Sequence, residues 1–177
     1  MEEDCEGAGI PCRGQHTMSA QRLTPIYRPY DPEGDVGLVM DSWCKAIRPP
    51  RPGQVLPFTH MTKERFRDHR ALIELLLERF PPIIAHPKDF PPQIYGFACG
   101  GKVGPFRVLH FAYVRNPWRK QGVLSGLLDQ LWGDHVAPGY VTHETKLTKR
   151  NMKLWSKLCK GYGLQWNPYF VAFSGGG

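Results

Sequence analysis

Residues 115–124 read RNPWRKQGVL and sit where an apolar, strand-like run hands over to an apolar, helix-like one. Pro117 ends strand pairing, Arg119 and Lys120 supply positive charge, and Gly122 lets the chain turn tightly or approach a ligand without a Cβ in the way. The amides of residues 120–124 would be the first, unpaired N–H groups of the following helix, and two adjacent phosphates would suit such a cradle. Cations at a helix N-terminus oppose the helix dipole. A solvated helix start leaves them unexplained, whereas a bound anion accounts for them.

The composition fits an anionic partner. The 177 residues carry a formal net charge of +7 and are 41% hydrophobic, enough for one domain with a real core. Charge is unevenly placed: residues 1–17 hold Glu2, Glu3, Asp4 and Glu6 against Arg13, whereas residues 102–160 set Lys and Arg against only Asp129, Asp134 and Glu144. Cysteines at 5, 12, 44, 99 and 159 are odd in number, widely spaced and without a Cys-x-x-Cys pair, which predicts reduced thiols and a cytoplasmic location. Cys5, Cys12 and His16 lie near one another but match no zinc spacing, so no metal is expected. No apolar run approaches the roughly 20 residues of a membrane span, so a soluble protein without membrane partners is expected.

The elements that must position the charged bend follow from periodicity. TPIYRPY (24–30) reads as a strand, and Val36, Val39, Met40, Trp43 and Ile47 recur at helical spacing. The proline-dense segment 48–57 must be a loop. Residues 62–80 form the clearest helix, with Thr62 able to cap it and Phe66, Leu72, Ile73, Leu76 and Leu77 on a broad apolar face. PIIAH (82–86) and QIYGFAC (93–99) are short β-rich runs, and FRVLHFAYV (106–114) is apolar on both faces and therefore central in its sheet. A helix over 119–136, a strand over 139–145, a basic helix over 148–163 and a strand over 164–173 complete the order β-α-α-β-β-β-α-β-α-β. This predicts an α/β fold of mixed α+β character: one sheet with helices on its faces, bounded by flexible ends at 1–23 and 174–177.

The segment RKQGVL resembles the coenzyme A pyrophosphate loop of the GNAT superfamily of N-acetyltransferases. The family pattern is Arg or Gln, two residues, Gly, one residue, then Gly or Ala, directly after the central strand. Arg119, Gly122 and Val123 match it, and Leu124 stands where Gly or Ala is preferred. The element order and the late helix NMKLWSKLCKGYG are also similar, so the resemblance covers residues 24–173, and the region from QIYGFAC to VLHFAYV is most similar to phage-encoded and bacterial members. It implies a single GNAT-like domain in which acyl-coenzyme A, most simply acetyl-CoA, lies where two parallel strands splay apart. The loop residues Arg119, Lys120, Gln121, Gly122, Val123 and Leu124 would hold the diphosphate. The backbone of Ala112, Tyr113 and Val114 would bond the pantetheine arm as an added strand, with Asn151 and Trp155 flanking it.

The implied activity is N-acyl transfer to an amine within a ternary complex, which needs a base, an acid and alignment. Family members often place an acidic tyrosine on the late helix, where this chain has Trp155; Tyr162 is the substitute candidate. For the base, the candidates are His110 on the central strand and His143 and Glu144 at the end of the next, where strand alternation lets only one of the last two face the cleft. A water relay is an equal alternative. Lys149, Lys153, Lys157 and Lys160 form a stripe within the basic region 146–160, open to three readings: a solvated face, attraction of the coenzyme's 3′-phosphate, or nucleic-acid contact. The alternative function is accordingly an inactive GNAT-like module binding nucleic acid or protein, or a nucleobase-modifying enzyme. The acceptor is framed by loops 48–61 and 86–92, and monomer and homodimer both remain open.

Overall fold

The computed structural model describes residues 24–47, 63–133, 139–143, 163–168 and 170. The expectations for the tail, the 48–61 loop, the basic 146–160 region, Glu144, Asn151, Trp155 and Tyr162 lie outside these residues. Within them the order is β1 (Ile26–Pro29), α1 (Val36–Ile47), α2 (Lys63–Arg79), β2 (Ile83–His86), β3 (Gly96–Val103) and β4 (Phe106–Val114). A single 3₁₀ turn (Asn116–Trp118) then leads to α3 (Val123–Trp132), β5 (Gly139–Val141) and β6 (Leu164–Trp166). The strands form one sheet in the order β1-β2-β3-β4-β5-β6. β1 to β4 pair antiparallel, while β4–β5 and β5–β6 pair parallel. The expected mixed sheet is present, with β4 inside it.

Each face of the sheet is covered because each helix has one apolar stripe. Val39 and Trp43 of α1 join Ile73, Leu76 and Leu77 of α2 over Ile84, Phe97, Cys99 and Phe111. On the other face Val123, Leu127, Leu128 and Trp132 of α3 cover Ala85, Ala98, Leu109 and Val141. Gly126 of α3 lies against the Tyr27 side chain of β1, and a Cβ there would collide with the Tyr27 hydroxyl. Asp35 ties the start of α1 to β1: its buried carboxylate takes two bonds from Arg28, at 2.6 and 2.7 Å, and one from the Asp31 amide at 2.9 Å. Burial alone would raise this carboxyl; the bonds from Arg28 and Asp31 outweigh it and hold the group below its ordinary value.

Several boundaries differ from the sequence reading. β3 begins at Gly96, after a turn in which the Gln93 amide bonds the Phe90 carbonyl, and runs on to Val103 before Gly104 reverses the chain. α3 spans only Val123–Trp132, because Gly122 and Gly133 both take positive φ values (83° and 62°) and close it at each end. β5 stops at Val141 and β6 at Trp166, where the Asn167–Pro168 step removes an amide donor and the Phe170 amide bonds back to Asn167.

Candidate active site

The site is set by an asymmetry of β4. On one side its ladder with β3 continues to Val114 opposite Gly96. On the other, pairing with β5 runs only from Arg107 opposite Gly139 to Leu109 opposite Val141, with one further bond from the Thr142 amide to the Leu109 carbonyl at 3.1 Å. Beyond that point β4 carries its backbone forward without a ladder partner on the β5 side among the described residues. Ala112, Tyr113 and Val114 lie in this stretch, with Ala112 and Val114 packed toward α3 and Tyr113 toward α1 and α2.

The strand then delivers the chain into the charged bend. Arg119 donates from Nε to the Val114 carbonyl at 2.9 Å, and Gln121 donates from Nε2 to the Pro117 carbonyl at 2.9 Å. Both side chains therefore brace the bend as well as lining it. Lys120 has φ 66°, the one left-handed non-glycine position among the described residues, and Gly122 follows at φ 83° with open space where a Cβ would stand. The first bond of α3 runs from the Gly126 amide to the Gly122 carbonyl at 3.0 Å, so Val123, Leu124 and Ser125 have no acceptor for their amides within the helix. Helix α3 thus contributes the amides of Val123, Leu124 and Ser125, and it starts later than the reading over 119–136 because the left-handed residues delay it. Leu124 packs its side chain against the α3-face core, and Val123 is buried there.

At the parting point itself the sheet carries a β-bulge. Cys99 pairs with Phe111 and Gly100 with Leu109, so His110 is the extra residue. The bulge puts two consecutive side chains on one face: Phe111 stacks on Trp43 with ring centroids 4.8 Å apart, and His110 lies 4.7 Å from the Phe80 ring. His110, only 1% exposed, places Nδ1 2.9 Å from Thr142 Oγ1, which lies 2.8 Å from Nδ1 of His143. The His143 ring meets Trp43 and His69 in T-shaped contacts, with centroids 5.4 and 5.2 Å apart. β5 has already ended before His143, and the alternation expected between His143 and Glu144 lies outside the described residues. Neighbouring side chains 142 and 143 touch instead of pointing apart.

Burial pushes His110 down to about 4, and the charge of Arg79 acts in the same direction. His143 goes down to about 3, from burial first and then from His69 and His110, against an opposing hydrogen bond with the His110 backbone. Burial also lowers His69. All three rings are therefore neutral near pH 7, with one nitrogen lone pair each. Among the described residues, Nε2 of His69, Nε2 of His110 and Nε1 of Trp43 are buried without a hydrogen-bond partner. His110 and His143, both read from the sequence, are thus brought together. Thr142 and His69 were not read from it, although His69 stands on the apolar stripe of α2 between Phe66 and Ile73, where a polar residue is a signal.

Among solved structures, the chain is similar to a GCN5-related N-acetyltransferase from Rhodopseudomonas palustris, at 23% identity over 62% of this chain and 64% of that one, with a TM-score of 0.40. It is also similar to the GCN5-related glucosamine N-acetyltransferase region of a fungal multi-domain GH3 β-N-acetylglucosaminidase, at 18% identity over 76% and 16% of the two chains, with a TM-score of 0.46. A third is AAC(6')-Iy in complex with the bisubstrate analogue CoA-S-monomethyl-acetylneamine, at 12% identity over 81% and 92%, with a TM-score of 0.44. The chain spans less than two thirds of the length of many of the solved proteins it matches. No family model and no curated protein sequence matches it. At these identities the likeness concerns fold alone.

Proposed function

We propose that this chain is an acyl-CoA-dependent N-acyltransferase that moves an acetyl group from acetyl-CoA to a primary amine. The observation that carries the proposal is the continuous path from the unladdered edge of β4, through the left-handed bend, to the free amides at the start of α3. An extended amide chain can add to that edge as a strand does, using the backbone of Ala112, Tyr113 and Val114. A diphosphate can end on the amides of Val123, Leu124 and Ser125, with Lys120 supplying charge and Gly122 leaving room for its oxygens. Leu124, the departure from the family pattern, has its side chain occupied by the core.

The thioester supplies an activated acyl group, and the chain's own residues supply alignment and proton acceptance. A group held along β4 with its diphosphate at α3 has its reactive end near the bulge, beside His110, Thr142 and His143. The neutral imidazoles are in the form that accepts the proton an attacking amine must lose. Glu144 remains a candidate base, Tyr162 a candidate acid for the departing thiolate, and Asn151 and Trp155 candidate flanks of the arm. Calorimetry with acetyl-CoA tests the reading. Arg119→Glu removes the brace on Val114 and reverses the charge, and it is expected to weaken binding at least about tenfold. Absence of any heat with the unaltered protein would defeat the proposal.

A further inference from the structure

Thr142 has one hydroxyl proton, and its oxygen lies within hydrogen-bond reach of two imidazole nitrogens, Nδ1 of His110 and Nδ1 of His143. Thr142 is 5% exposed, and it has no other side-chain partner among the described residues. Leaving a buried hydroxyl donor unpaired forfeits its hydration without replacement, so the proton goes to one of the two nitrogens. It cannot go to both. The ring that receives it has a bare Nδ1 and carries its proton on Nε2; the other ring satisfies the remaining contact only by donating Nδ1–H to Oγ1, which leaves its own Nε2 bare. We propose that Thr142 is a positioning residue that holds His110 and His143 in opposite tautomers and couples them into one proton-carrying unit.

The depressed affinity of both rings for protons supports this, because each ring is then neutral and has a single N–H to place. The coupled unit can move a proton without storing charge. A proton arriving at the bare Nε2 of one ring displaces that ring's Nδ1–H onto Thr142 Oγ1. The threonine's original proton passes to Nδ1 of the other ring, and the Nε2–H of that ring departs. One proton enters, one leaves, and both rings end neutral with their tautomers exchanged. For rings that burial keeps from holding a charge, this is the available way to serve as a base. The catalytic use of the unit rests on the acyltransferase reading, whereas the tautomers do not.

Long-range ¹H–¹⁵N correlation spectra of the labelled full chain at pH 7 distinguish Nδ1–H from Nε2–H imidazole. In the unaltered protein, one of His110 and His143 is expected to be Nδ1–H and the other Nε2–H. Thr142→Val keeps the side-chain shape and is expected to abolish that complementarity; Thr142→Ser is expected to restore it. The same tautomer in both rings of the unaltered protein overturns the proposal, and this measurement does not depend on any variant folding. Unchanged ring spectra in Thr142→Val overturn it equally. Release of thiol from acetyl-CoA is expected to fall at least about tenfold in kcat for Thr142→Val at unchanged KM. Opposite tautomers with no acetyl-CoA binding would sink the acyltransferase reading and leave the role of Thr142 standing.

Discussion

The histidines at the bulge have a consequence for stability that their chemistry does not require. His110 and His143 bind protons less readily in the folded chain than in the unfolded one, where the ordinary value is 6.5. Below that value the unfolded state takes up protons that the folded state refuses, so stability falls as pH drops. The loss continues until the folded values, about 4 for His110 and about 3 for His143, are reached. Each ring contributes at most about 1.4 kcal/mol per pH unit over its window. Urea unfolding at pH 5 is therefore expected to give a stability about 2–4 kcal/mol below that at pH 7, with His110→Phe losing part of the difference. Equal stabilities at the two pH values would mean that the rings accept protons without unfolding. Acid loss of the Arg28–Asp35 bonds belongs to a lower window, since Asp35 is held below its ordinary 3.8. His110 and His143 were legible as candidate residues by type, but their contact through Thr142 was not. A threonine in a strand gives no sign that it will sit between two rings, and no composition marks His110 as the surplus residue of a bulge.

At the scale of elements, α2 and β4 were legible because burial writes itself into sequence most clearly where an element is long and its apolar pattern uninterrupted. The reading of β4 over 106–114 coincides with Phe106–Val114, and that of α2 over 62–80 with Lys63–Arg79. Within the described residues β5 and β6 end at Val141 and Trp166, short of the readings over 139–145 and 164–173, because residue type alone does not mark where backbone pairing stops. Gly126 shows the opposite case, in which local propensity and packing disagree. Alanine would favour the helix by about 1 kcal/mol, but its methyl group would strike the Tyr27 hydroxyl. Gly126→Ala is expected to destabilise the protein by about 1–3 kcal/mol. In a double-mutant cycle with Tyr27→Ala, most of that penalty should vanish, since the obstruction is gone. An additive pair would place the cost elsewhere in α3.

For the whole molecule, the sheet joins two unlike halves at one strand. The antiparallel half, β1 to β4, includes a tight hairpin at Gly104–Pro105, whereas β5 and β6 join it by parallel pairing between strands distant in sequence. The mixed architecture was readable from element order; the point at which β4 and β5 part was not, because it depends on three ladder pairs that sequence does not encode as a pattern. That point also has a consequence in time. Hairpins close a short loop and form early, while parallel pairing must first close a long one. The β3–β4 ladder is therefore expected to be present in the folding transition state and the β4–β5 ladder to be added late. Substitutions at Ala98 should slow folding, and substitutions at Val141 should chiefly speed unfolding, as stopped-flow chevrons would report. Equal effects on the folding rate would contradict that order. The β4–β5 ladder is then a late product of folding, so any ligand that requires it can bind only to molecules in which the sheet is complete.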